Sequence, residues 1–94
     1  MNLEKSKKRI TKRAKMGFQG YPMISFTYYG KATNLANEVV VEFVLEENAE
    51  VQIERFSSKL DAREDETIQS ALVKIIERSG AKTVSQAEGV SVVV

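Results

Sequence analysis

Three features of this 94-residue chain predict an α+β fold, with a small mixed sheet in the order β-β-β-α-β-β, one amphipathic helix packed on one face and a basic N-terminal arm. Residues 23–29 and 38–46 alternate in side-chain type with the period of two expected of half-buried strands. Residues 65–80 carry apolar side chains at helical period, with a start signal and a stop signal at the two ends. The charge is also divided along the chain. Residues 1–16 hold seven Lys and Arg against Glu4 alone, a net +6, which leaves seven of the chain's 14 basic and twelve of its 13 acidic residues, a net −5, from Gly17 onward.

The arm, residues 1–16, contains no Gly or Pro, and Leu3, Ser6, Ile10 and Ala14 fall on one side at helical spacing. That stripe is thin, and the like charges in Lys7-Lys8-Arg9 and Lys12-Arg13 repel one another along a helix. A flexible or partly helical arm is expected, either solvated or resting on the acidic body. Residues 17–94 are expected to form a single α+β domain, since a chain of this length builds one modest core.

Gly17, Gly20 and Pro22 punctuate the change from arm to body. In the first strand Ile24, Phe26 and Tyr28 point one way and Met23, Ser25, Thr27 and Tyr29 the other, with Gly30 at its end. The second strand places Val39, Val41, Phe43 and Leu45 on one face and Glu38, Val40, Glu42, Val44 and Glu46 on the other, which should be wet. The short polar loop between them favours an antiparallel pair. After a turn at Glu47-Asn48-Ala49, residues 50–57 fit a strand or a helical turn, and a short strand is favoured because hairpin continuation costs little loop entropy. Residues 58–64 read as a polar surface connection.

The helix that follows is the clearest element. Ile68, Ala71, Leu72, Ile75 and Ile76 share one face, Asp65 is a suitable N-cap, Glu66 and Arg78 match the two ends of the helix dipole, and Gly80 suits a left-handed C-terminal cap. It is expected to be the main cover of the sheet. Residues 82–85 then read as a strand, Glu88-Gly89 as a turn, and residues 90–94 as a final β-rich segment whose apolar end should pair in the sheet or with another copy.

Composition narrows the function classes. With no Cys and no His, the commonest metal ligands, the commonest base near neutral pH and the familiar nucleophile pairs are missing. No catalytic residue, metal site or cofactor is therefore assigned, and a non-enzymatic protein is expected. No apolar run approaches the roughly 18 residues of a spanning helix, and residues 1–15 lack the apolar core of a secretory signal, so a cytoplasmic location without membrane contact is expected.

The segments Lys8-Arg9-Ile10-Thr11-Lys12-Arg13-Ala14-Lys15, Gly17-Phe18-Gln19-Gly20-Tyr21-Pro22 and Tyr28-Tyr29-Gly30 resemble a family of small uncharacterised bacterial proteins. More loosely, the similarity continues through Arg55-Phe56-Ser57 and the Asp65 helix to the strand after Gly80. The resemblance implies a compact α+β fold with a mixed sheet and no particular activity. Members often have Pro where this chain has Glu66, and tend to carry a Gly-Cys-Pro-His segment after the last strand, which this sequence does not contain.

Two residue groups remain as candidate sites. Lys7, Lys8, Arg9, Lys12, Arg13 and Lys15 could contact nucleic-acid phosphates, with Phe18 or Tyr21 supplying any base stacking. Against that, a run of charge is commonly just a solvated face. Tyr28, Tyr29 and Lys31 could form a pocket rim, although one Tyr in the core with its hydroxyl at the edge and one covering the outer sheet face is the stronger explanation of the pair. Asp61, Glu64, Asp65 and Glu66 lack the spacing of a calcium loop. The expected function is an interaction module that binds a protein partner or itself, with nucleic-acid association through the arm as the alternative.

Overall fold

The fold is that of a computed structural model and is described over residues 2–92. Along the chain run α1 (Leu3–Lys15), β1 (Met23–Gly30), β2 (Glu38–Val44), β3 (Gln52–Ser57), a 3-10 turn (Ala62–Glu64), α2 (Glu66–Ser79), β4 (Thr83–Gln86) and β5 (Ser91–Val92). The predicted class is observed, a mixed five-stranded sheet with helix packed on one face.

Strand β1 is the centre of the sheet. It pairs antiparallel with β2, with Phe26 opposite Val41, and β2 pairs antiparallel with β3, with Val40 opposite Arg55. Its other side is shared. β4 runs parallel to its first half, Ile24 beside Val84, and β5 runs parallel to its end, Gly30 beside Val92. The chain end thus pairs in the sheet as far as Val92, while Val93 and Val94 lie outside the described residues. Residues 50–57 resolve to a strand, an edge strand with most of its side chains exposed.

Period-two alternation in β1 puts Ile24, Phe26 and Tyr28 into the core, where they meet Val39, Val41 and Val84 from neighbouring strands and Leu72, Val73 and Ile76 from α2. The caps are as predicted. The Asp65 carboxylate accepts from the Ile68 amide at 3.2 Å, and Gly80 closes α2 in the left-handed conformation at φ 65°. Gly30 is required by packing, because a Cβ there would run into the Leu35 carbonyl oxygen.

Several details differ from the sequence expectation. Leu45 lies past the end of β2 and is exposed, since the strand stops at Val44. On the outer face of the sheet Val40 is buried between Thr27 and Arg55, so that face is not uniformly wet. The buried face of α2 includes Gln69 and Val73, whereas Ala71 and Ile75 are half-buried. Within the expected surface connection, Ala62 is fully buried and its amide donates to the Ala36 carbonyl.

The largest difference is the arm. The sequence expectation is a flexible or partly helical arm, whereas residues 3–15 form a regular helix docked on α2 and β4. Asn2 caps it, its side-chain oxygen accepting from the Lys5 amide at 2.9 Å, and Glu4 and Lys12, Arg13 and Lys15 complement the two ends of its dipole. Ile10 and Ser6 are buried at 1% and 0% exposure, with the Ser6 and Ser70 hydroxyls 3.4 Å apart. Ion pairs to the acidic body offset the like-charge repulsion that argued against a helix.

Candidate functional site

The six basic residues singled out in the sequence fall into two sets. Lys7, Arg9 and Arg13 point towards the body. Lys7 pairs with Glu64 at 2.7 Å, Arg9 pairs with Glu77 at 2.9 Å, and Arg13 donates to the Ala81 carbonyl at 2.6 Å. Lys8, Lys12 and Lys15 are not fastened to it, although Lys12 also borders a small depression with Val73, Ile76 and Glu77. They are exposed, and no ion pair or hydrogen bond holds their ammonium groups among the described residues. Lys5, which was not among the six, joins them on the same face through the i, i+3, i+7, i+10 spacing of Lys5, Lys8, Lys12 and Lys15.

This lysine face spans about 15 Å of helix. A shallow groove of about 340 Å³ runs along it, lined by Lys7, Lys8, Thr11, Lys12 and Lys15. The chain leaves α1 through Met16 and Gly17 to Phe18, which is 64% exposed and packs edge-on against Tyr21 with ring centroids 5.4 Å apart. The Tyr21–Pro22 peptide is cis, and the Pro22 carbonyl accepts from the Lys82 and Thr83 amides, tying this corner to β4.

The expected rim of Tyr28, Tyr29 and Lys31 is divided by the sheet. Tyr29 and Lys31 line a depression of about 590 Å³ on the outer face, with Glu38, Val40, Ile53 and Arg55 among its other walls. Tyr28 turns to the helical side, as successive residues of a strand must. There it faces a separate cleft of about 480 Å³ at the carboxyl ends of the parallel strands β1 and β4, lined also by Lys7, Thr11, Arg63, Gln69 and Gln86.

The floor of that cleft is a buried polar relay. Gln69, 2% exposed, donates its amide to the Tyr28 hydroxyl at 3.0 Å and to the Ala62 carbonyl at 2.9 Å. The Tyr28 hydroxyl in turn lies 3.3 Å from Gln86 Oε1, to which it donates. Burial pushes the Tyr28 phenol above its ordinary value, against the opposing effects of the Gln69 hydrogen bond and the positive Arg63 and Lys7, so it stays protonated and remains a donor.

On the wall, Arg63 is clamped by Asp61, its Nε and Nη2 donating to the two carboxylate oxygens at 2.9 and 2.6 Å. That pairing holds the Asp61 carboxyl down at about 2. The four acidic residues close in sequence are thus occupied separately: Asp61 by Arg63, Glu64 by Lys7, and Asp65 by the Ile68 amide and the Ser58 hydroxyl, with Glu66 in the first turn of α2.

No protein-family model, curated protein or solved structure matches this chain. Two residues of the cleft are hidden in the sequence. Gln69 and Gln86 look like ordinary polar residues of a helix and a strand, and only the fold brings them to Tyr28.

Proposed function

We propose that the protein is a non-enzymatic nucleic-acid-binding module that contacts phosphates through the outer face of α1. The observation that carries this reading is the sorting of the arm's charges: three cations are committed to the body, while Lys5, Lys8, Lys12 and Lys15 form an exposed row without acidic partners among the described residues. A helix held rigidly by its other flank presents that row at little further cost in ordering entropy. Phe18, exposed just beyond the helix, adds a surface on which a base can stack.

Deleting α1 would not test this, because Ile10 belongs to the core. Substitution does. Fluorescent single-stranded DNA and RNA titrated at 50 and 200 mM salt should bind the native chain about 50-fold more weakly at the higher salt, if all four lysines release counterions. Absence of binding at 50 mM salt, or binding without salt dependence, would sink the proposal.

Self-association is the second reading, favoured by the β3 edge. Leu45, Val51 and Ile53 are exposed at 56%, 44% and 59% along or beside β3, whose outer edge has no neighbouring strand among the described residues and is a template for another copy. Sedimentation across a wide concentration range decides it, and a monomer throughout would end it.

A further inference from the structure

We propose that the cleft at the carboxyl ends of β1 and β4 binds a terminal phosphate of the strand that lies along α1. The inference rests on the nucleic-acid reading for the source of that phosphate. The cleft and the lysine groove share Lys7 and Thr11 as walls, so a chain following the groove reaches the cleft without crossing the body.

Uncommitted donors line the cleft. Arg63 uses Nε and Nη2 on Asp61 and leaves Nη1 without a partner among the described residues. Gln86 accepts from Tyr28 through Oε1, which leaves the two N–H groups of its Nε2. Lys7 spends one N–H on Glu64, and the Thr11 hydroxyl is unpaired among the described residues. Such a surplus of N–H and O–H groups suits a ligand made of acceptors.

A phosphate monoester supplies three terminal oxygens, and it uses an Arg fork and a Lys charge well. The Asp61 clamp and the Tyr28–Gln69 relay fix Arg63 and Gln86 before any ligand arrives. Two carboxylates, Glu64 and Glu88, also line the cleft and oppose an anion. Removing the Glu64 charge should therefore strengthen phosphate binding, a response that a purely structural cluster would lack.

The test uses the full chain and one oligonucleotide sequence in three forms: 5′-phosphorylated, 3′-phosphorylated, and with hydroxyls at both ends. One phosphorylated form should bind at least about fivefold more tightly than the hydroxyl form. Gln86→Ala should reduce that gain without changing affinity for the hydroxyl form, Thr11→Ala should lower the ratio of the two affinities, and Glu64→Gln should raise that ratio by freeing Lys7. Thr11 is exposed on α1, so its variant keeps the fold even if Gln86→Ala does not.

Equal affinity for all three forms would overturn the cleft proposal while leaving the nucleic-acid reading intact. So would a gain that survives both alanine variants. Inorganic phosphate, followed by phosphorus NMR line width, separates the sources. If it binds and is lost in Thr11→Ala while no oligonucleotide binds, the nucleic-acid reading fails and the terminal phosphate with it, leaving free phosphate as the ligand.

Discussion

The two helices cover the same side of the sheet and are held there by opposite means. Helix α2 buries Ile68, Leu72, Val73 and Ile76 and has Asp65 and Gly80 as caps. Helix α1 buries only Ser6 and Ile10 among its described residues, and is fastened along its flanks by Lys7–Glu64, Arg9–Glu77 and the Arg13 hydrogen bond to Ala81. A helix whose apolar face is broad has its outer residues free to vary. A helix whose inner face is narrow needs its charges, and here it divides them between docking and display.

Breaking α2 should therefore cost the most. Leu72, fully buried, leaves a cavity when changed to Ala, and a loss of about 3–4 kcal/mol in global stability is expected by chemical denaturation. Ile10→Ala should cost less, about 2 kcal/mol, because α1 lies at the margin of the core and can loosen around the gap. Native-state hydrogen exchange separates the two cases. In Ile10→Ala the α1 amides should exchange first while β1 and β2 stay protected, whereas in Leu72→Ala protection should fall throughout.

The Asp61–Arg63 clamp sharpens the comparison by pH. The Asp61 carboxyl titrates at about 2 in the folded chain against an ordinary 3.8, chiefly through its hydrogen bonds with Arg63. Its contribution is fully present above about pH 4 and is lost as the pH falls towards 2. Asp61→Asn should remove about 1–2 kcal/mol at pH 7 and flatten the stability profile between pH 4 and 2. The smallest effect belongs to Arg9→Gln. The Arg9–Glu77 pair has both side chains 59% exposed, and its loss should cost below about 1 kcal/mol, shrinking further in high salt.

Much of the body was legible in the sequence because local signals there agree with tertiary ones. Alternation located β1 and β2, and periodicity with caps located α2. The burial of Gln69 and Val73 was not legible, since a stripe centred on Ile68, Leu72 and Ile75 assumes one partner, and α2 has two: the sheet and α1. Nor was the docking of α1, because the start signal of Asn2 and Glu4 is opposed by the like charges that follow it.

The candidate site was partly legible. The basic residues were visible, but their division was not, because it depends on where Glu64, Glu77 and Ala81 lie in space. The separation of Tyr28 from Tyr29 follows from strand geometry alone, so a shared rim was already at odds with the alternation that placed Tyr28 inward.

If α1 is the proposed nucleic-acid surface, the position of its lysines rather than net charge sets the affinity, and removing three charges in two places separates the two. Lys8→Gln/Lys12→Gln/Lys15→Gln should lower oligonucleotide affinity at least about tenfold and reduce the slope of log affinity against log salt by about 2. Lys31→Gln/Lys59→Gln/Lys74→Gln, an equal charge change at exposed positions of the body, should leave both nearly unchanged. Equal losses in the two triple variants would contradict the claim, because they would show a response to net charge alone.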